Sequence, residues 1–526
     1  MLNPSPADSG TLADLLDEGL RVRPDEPAIL DLGQAHTFRD LHRSALTIAA
    51  FMAREHHVGP GDRVVVAVAK SPLIVAIALA CWKLGAIYVP LDPDSPAKRC
   101  TTILESIRPS LVVGPKALLS AWTQRSAGLR QESYEHLRAL EMLPDLEFMA
   151  GPNPEGAAVI IHTSGSTGAP KGVVLSHASV VSYLRNHNEY LGFSHSSVGM
   201  NNAPFYFDVS IQDTFLPLYF GASVLFHRGL WVGPLIIELI RRYGVTHLIA
   251  VSSILKVISS DGACIRTLQD STLRVVVTGG EVCPPRLINL WLETVPGLRV
   301  LYGYGPTELN SLCTTHVITR PEPERTSIFP IGKPFRDHRL VLLDDARCIL
   351  YGDGVVGTLA VSGPQMMMGY WKDPVLTARV MLLHEGQRYY VTGDRCRRDI
   401  EGNYHFEGRM DAEVKIRGRR INLNEIRNAL VAHDNVAHAV VSVIQTGEDI
   451  RITAAVHIPM PAADSEASLR SWLADCVPGY MVPWYIGVFP RPPRTATDKL
   501  DERWMVQRLQ ALAQDHPSQR DFRVVD

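Results

Sequence analysis

Between Asp62 and Pro93 three apolar runs stand back to back: DRVVVAVAK, SPLIVAIALACWKLG and AIYVPLDP. The first and third are short, rich in Val and Ile, and read as strands. The second is long enough for a helix and apolar on every side. A strand with two apolar faces needs cover on both, and strand–helix–strand order supplies that cover in a parallel sheet flanked by helices. The alternation returns in VTHLIAV, LRVVVTGG and LRVLYGYGP, each strand running into Gly, Ser or Pro, so an α/β fold is expected. Residues 12 to 55 add helix-like periodicity around a short strand, PAILDL. Ligands of open parallel sheets lie beyond the C-terminal strand ends. The loop of the 160s, Thr278–Glu281 and Tyr302–Glu308 are therefore expected around one crevice.

After about residue 325 the texture changes to short β-rich pieces: FPIGKPF, HRLVLLD, GTLAVSG, RYYVTGD and NYHFEGR. A charged, glycine-containing strip follows, GRMDAEVKIRGRRINLNEI, and then a compact α+β tail with VAHAVVSVI, IRITAAVHI and the helical SLRSWLADCV. A boundary at Met410–Asp411 divides a core domain, 1–410, from a smaller one, 411–526. The net charge of −3 over 526 residues leaves no electrostatic footprint for nucleic acid. The longest apolar run, Leu73–Trp82, is too short to span a bilayer, and MLNPSPADSG lacks the basic and apolar regions of a secretory signal. Eight cysteines without a CxxC pair argue against zinc and a disulfide framework, so a cytoplasmic setting is expected.

The polar stretch with the strongest chemical content is IIHTSGSTGAPKGVVLSH, Ile160 to His177. An apolar run, Ala157–Ile161, reads as a buried strand, and Ser176 is a candidate cap for a helix starting near His177. Between them lie Thr163, Ser164, Gly165, Ser166, Thr167, Gly168, Pro170, Lys171 and Gly172. Glycines let backbone N–H groups approach an anion, hydroxyls add donors and Lys171 adds a point charge, which suits a polyphosphate. By composition alone a flexible Ser/Gly turn fits equally well. It is not a Walker A loop, because Pro170 and Gly172 stand where that motif has Gly and Ser/Thr.

Five further strings follow in order: FYFDVSIQD (205–213), YGPTE (304–308), YVTGD (390–394), GRMDAEVKIRGRRI and RTATDKLD. With TSGSTGAPKG, the chain resembles the adenylate-forming enzymes over nearly its whole length. It is most similar to the amino-acid-activating adenylation domains of nonribosomal peptide assembly. The resemblance implies a large N-terminal adenylate-forming domain, with parallel sheets covered by helices and a small β-barrel-like part. It also implies a mobile, small α+β C-terminal domain. The implied activity is that of an AMP-forming acid–thiol ligase using ATP and Mg²⁺.

By that resemblance Thr163, Ser164, Gly165, Ser166, Thr167, Gly168 and Lys171 take the leaving phosphates, and Thr307 touches the α-phosphate. Glu308 holds Mg²⁺. Gly280, Glu281, Tyr302, Gly303, Tyr304 and Gly305 surround adenine, with Tyr304 stacking on it. Asp394 accepts the ribose hydroxyls with help from Arg409. Lys499 bridges substrate carboxylate and α-phosphate, Asp411 is the hinge, and Gly418 lines a phosphopantetheine tunnel. Catalysis is expected from Lys499, Lys171, Thr307 and Glu308. Two departures from the family pattern are Asp498, where Gly usually precedes the lysine, and Tyr302, where Asn is usual.

Asp208 marks the substrate class, since in amino-acid-activating members this carboxylate holds the α-ammonium; by residue type alone it is also a good helix cap. The implied pocket is Phe207, Asp208, Val209, Gln212, Ile249, Val277, Gly279, Gly303, Ser311, Leu312 and Lys499. It is small and mostly apolar. Asp-Val-Gln followed by branched aliphatics is similar to proline-activating domains, so L-proline is the expected substrate. A D-alanine–carrier protein ligase, an acyl- or aryl-CoA ligase and a non-catalytic nucleotide-binding relative remain as alternatives. No carrier-domain serine motif and no HHxxxDG occurs, so a separate carrier protein is the expected acceptor, with no nucleic acid or membrane partner.

Overall fold

The computed structural model describes residues 10–31, 33–123, 129–142, 152–165, 170–409, 412–446, 449–462, 464–493 and 500–523. These fall into two units. The larger comprises Met1–Pro93, Ile107–His162 and Gly172–Met410; the smaller comprises Asp94–Ser106, Thr163–Lys171 and Asp411–Asp526.

The doubly apolar runs of the larger unit form the strands and helix that their pattern implies. Arg63–Val66, Ile87–Pro90 and Leu111–Gly114 are neighbouring parallel strands of a seven-stranded sheet. The last two are buried at every position, as strands covered on both faces must be. Helix Pro72–Lys83 starts with proline at its first position, where the missing N–H costs no hydrogen bond, and buries every side chain from Ile74 to Trp82. The Trp82 indole N–H donates to the Ala158 carbonyl at 3.0 Å, so the largest buried ring also satisfies its polar atom.

A nine-stranded sheet carries most of the residues of interest. Its order is Lys333–Pro334, Thr314–Ile318, Arg299–Tyr304, Val275–Gly279, His247–Ile249, Val198–Asn201, Ser223–Phe226, Pro27–Asp31 and Gln34–Thr37. Neighbours are parallel from Arg299–Tyr304 across to Pro27–Asp31, and antiparallel strands close both edges. FPIGKPF yields only the two-residue strand Lys333–Pro334, because Pro330 and Pro334 lack the N–H a longer ladder needs. The β-rich stretch that follows forms a six-stranded antiparallel sheet around the long strand Gln387–Arg398. Where strand Lys171–Ser176 passes directly into helix His177–Leu191, Ser176 caps the helix by accepting from the Ser179 N–H.

In the smaller unit a four-stranded sheet runs His438–Thr446, Asp449–His457, Tyr485–Phe489 and Asp521–Arg523. Strand Tyr485–Phe489 is buried throughout, and its side chains alternate between two cores. Ile486 and Val488 join Ile426, Leu430, Leu469 and Leu473. Tyr485 and Phe489 join Met505, Leu509 and Phe522. Ahead of this sheet, Glu413–Ile416 and Arg419–Asn422 form a hairpin. Its two-residue turn, Arg417 and Gly418, has φ of +50° and +72°, the left-handed pair that matches strand twist. No helix among the described residues is long and apolar enough to cross a membrane.

Burial lowers the imidazole of His187 to about 3 and that of His247 to about 4. Both are neutral when folded, whereas unfolded histidine takes up a proton near pH 6.5. Stability is therefore full above about pH 6.5 and falls as pH drops toward 4, by up to about 1.4 kcal/mol per pH unit for each group. Thermal unfolding midpoints measured from pH 7 to 4.5 should decline, and His187→Gln should flatten part of that slope while lowering the midpoint at pH 7.

Candidate active site

Strands Val275–Gly279 and Arg299–Tyr304 run side by side with Thr278 opposite Tyr302 and Gly279 opposite Gly303. A Cβ on Gly279 would stand 2.2 Å from the Gly303 carbonyl oxygen, so only glycine allows this approach. Beyond them, Gly305 lies so close to the Ser311 carbonyl that a Cβ would reach it at 2.3 Å. The chain turns back through Thr307–Leu309, and Asn310 and Ser311 take φ of +55° and +82°. Two consecutive non-glycine residues in this region store strain, which surrounding bonds must hold. Gln365 does so: its side chain donates to the carbonyls of Leu309 and Leu312, and its carbonyl accepts from Asn310 Nδ2 at 2.7 Å.

Two carboxylates sit near this turn. Glu308 is fully buried, and its Oε1 accepts the Tyr370 hydroxyl at 2.7 Å. Its carbonyl accepts the Met367 N–H at 2.9 Å. Asp394 is also buried and lies opposite Arg409 in the register of Gln387–Arg398 with Tyr404–Arg409. Arg409 Nη1 donates to Asp394 Oδ1 at 2.7 Å, and the Tyr304 hydroxyl donates to Oδ2. Burial first, and then the Asp394 charge, hold the Tyr304 phenol protonated well above its ordinary range. Burial likewise pushes up the phenol of Tyr302.

Of the residues read as a substrate pocket, Ile249, Val277, Gly279 and Gly303 lie on strands of the nine-stranded sheet and the other described ones on the segments between strands. Ile249 and Val277 are opposite each other in adjacent parallel strands. Leu312 lies against Gly303, where a Cβ would meet its Cδ1 at 2.7 Å. Asp208 is half-buried on a turn in which the Phe207 N–H donates to Pro204 and the Ile211 N–H to the Asp208 carbonyl. Val209 opens the following helix, whose Ile211–Phe215 segment is π-helical, a local distortion common at functional sites. Gln212 is buried with its amide 3.4 Å from His187 Nδ1, which in turn lies 3.0 Å from the Tyr183 hydroxyl. Glu281, just after Gly280, accepts the Ser253 N–H at 2.5 Å and so satisfies the start of helix Ser252–Ile258.

Of the residues expected to take phosphates, Thr163, Ser164, Gly165 and Lys171 are described and belong to the smaller unit. Thr163 Oγ1 is buried without a hydrogen-bond partner, and Ser164 Oγ donates to the Arg420 carbonyl at 3.0 Å. Lys171 Nζ lies 3.9 Å from Glu413 Oε1, while Arg420 Nε donates to the other oxygen of that carboxylate at 2.5 Å. Glu425 is buried against Arg99, and burial raises its carboxyl above the ordinary range despite that partner. Ser166, Thr167, Gly168, Asp411 and Lys499 lie outside the described residues.

Tyr370, Gln365, Tyr183, His187 and Glu413 did not emerge from the sequence as candidates. Tyr370 reaches Glu308 across 62 positions and Gln365 reaches Leu309 across 56, so no local spacing announces either.

Residues 16–371 match the family model described as AMP-binding enzyme. The chain belongs to that family. Tyrocidine synthase 3 of Brevibacillus parabrevis is 32% identical over 505 residues, which are 94% of this chain but 8% of that protein. An L-proline–[L-prolyl-carrier protein] ligase of Pseudomonas fluorescens is 32% identical over 91% of this chain and 95% of its own length. An artificially fused adenylation–PCP di-domain protein from Klebsiella oxytoca shares the fold. Its TM-score is 0.80 at 24% identity, covering 90% of this chain and 93% of that one.

In this AMP-binding enzyme the contact at Gly305 is unforgiving, since both partners are backbone. Gly305→Ala should lower the unfolding free energy by at least about 2 kcal/mol, measured by urea denaturation, and a smaller loss would show that the turn can relax.

Proposed function

We propose that this AMP-binding enzyme activates L-proline with ATP and passes the prolyl group to the phosphopantetheine thiol of a separate carrier protein. A substrate carboxylate oxygen attacks the α-phosphorus, and the bond to the pyrophosphate oxygen breaks. The thiolate sulfur then attacks the acyl carbon, and AMP departs with the electron pair of the carbon–oxygen bond. The observation that carries the amino-acid reading is Asp208, a half-buried carboxylate presented on a turn beside the ends of the parallel strands. By the resemblance this carboxylate holds the α-ammonium of the amino acid, a charge-assisted contact that a neutral side chain would not supply. The ligase from Pseudomonas fluorescens, alike over nearly its full length, supports L-proline and a separate carrier.

The other roles follow from chemistry. Asp394, oriented by Arg409 and Tyr304, keeps further lone pairs on its oxygens for two ribose hydroxyls. Glu308 fits a magnesium ion, a hard cation that commonly takes one or two carboxylates and completes its shell with phosphates and water. When bound, the ion would offset phosphate charge. Thr163, with its unpartnered hydroxyl, Ser164 and Lys171 suit phosphate oxygens. Lys499 is assigned to substrate carboxylate and α-phosphate, Asp411 to the hinge between half-reactions, and Gly418 to the tunnel for the thiol arm.

Pyrophosphate exchange against all twenty L-amino acids and D-alanine tests the substrate. L-proline should dominate, and a clear preference for D-alanine or a bulky residue would reject it. Asp208→Ala should cut exchange with the preferred amino acid by about 10- to 100-fold, the loss of one charge-assisted contact; undiminished exchange would remove the amine assignment. Glu413→Gln, which frees Lys171 from a competing carboxylate, should lower the KM for ATP a few-fold. An unchanged or higher KM would show that Lys171 does not serve the phosphates.

A further inference from the structure

Segment Asn201–Asp213 leaves the nine-stranded sheet at the end of strand Val198–Asn201, turns at Asp208 and returns through the π-helical stretch. Its base is pinched by a buried carboxylate and a half-buried ammonium. Asp213 accepts the backbone N–H groups of Asn202 and Ala203, each at 2.8 Å. It also accepts Asn201 Nδ2 at 2.6 Å and the Thr214 hydroxyl at 3.0 Å. Lys70, which follows strand Arg63–Val66 of the other large sheet, donates to the carbonyls of Asn201 at 3.4 Å, Asn202 at 3.2 Å and His227 at 3.0 Å. One short stretch is thus held on its N–H side by an anion and on its C=O side by a cation. Asn202 Nδ2 adds a bond to the Ile249 carbonyl at 2.7 Å, tying the same stretch to the next strand.

Withdrawing a carboxylate fully and an ammonium partly from water is expensive, and an apolar pair would pack here at lower cost. Burial brings Lys70 down to about 8 and raises Asp213, while each charge favours the ionised form of the other. What the charges supply is directional. Four hydrogen bonds to main-chain groups define where the segment departs, a fifth ties Lys70 to His227, and Asp213 is also the point to which the segment returns. Asp208 stands between these two anchored ends.

We propose that Lys70 and Asp213 are positioning residues for recognition of the substrate amine, clamping both ends of the segment that presents Asp208. The inference rests on the proposed role of Asp208. Neither residue is assigned a contact with nucleotide, so their loss should weaken amino-acid binding selectively.

The test uses the full chain, pyrophosphate exchange and whichever amino acid the wild type exchanges fastest. Lys70→Met should raise the KM for that amino acid at least about tenfold and leave the KM for ATP within about twofold. Lys70→Arg, which restores a cation, should recover most of the loss. A merely structural lysine would lower the thermal midpoint without splitting the two KM values. Equal changes in both, no change in either, or no rescue by arginine would overturn the proposal. If Lys70→Met does not fold, Asp213→Asn carries the same expectation. Asp208→Asn run in parallel separates the two claims. An unchanged amino-acid KM in Asp208→Asn refutes the amine assignment, whereas a raised KM there with none in Lys70→Met refutes the clamp alone.

Discussion

Much of the larger unit's chemistry depends on how closely two parallel strands can approach where they end. At Gly279 and Gly303 the main chains come within a distance no side chain would tolerate, and at Gly305 the returning turn does the same against Ser311. Close packing of backbone on backbone leaves little room for adjustment, so the turn that follows must accept a left-handed Asn310 and Ser311. Gln365 secures that strain with a buried side chain bonded on both sides of it. Thr307 and Glu308 inherit their positions from this chain of necessity.

The charged groups nearby are each held by an aromatic hydroxyl from a distant part of the chain. Tyr304 serves Asp394 and Tyr370 serves Glu308. A phenol is a neutral donor, so it orients a carboxylate without cancelling its charge. Arg409 adds a cation at Asp394. Asp394 is thereby fixed as an acceptor in a set direction, and the Glu308 side chain is oriented from Tyr370.

The architecture was legible wherever one physical demand dominated a short stretch. Continuous apolar runs at Arg63–Val66 and Ile87–Pro90 could be satisfied only with cover on both faces, and they pair in parallel within a sheet; the neighbouring strand Leu111–Gly114, too short to stand out, went unread. Ser176 and its helix followed from the cap chemistry of one residue. Of the residues expected in the pocket, Ile249, Val277, Gly279 and Gly303 fall on three neighbouring parallel strands. The supporting residues stayed hidden because their partners are remote. Lys70 reads as a flanking charge beside an apolar run until its carbonyl partners, 131 to 157 positions away, are known. His187 gives no sign of being buried, since the pattern around it is that of any amphipathic helix.

The smaller unit is not a contiguous length of chain. It takes in Asp94–Ser106 and Thr163–Lys171, and Arg99 finds its buried carboxylate partner, Glu425, only 326 positions later. During synthesis, then, the guanidinium leaves the ribosome 326 residues ahead of the group that neutralises it, and stays hydrated until that carboxylate has been made. A gene cut at Asp411 would strand each half of that pair on a different polypeptide, so the piece that follows the cut, expressed alone, would lack two stretches of its own unit and leave Glu425 without its guanidinium.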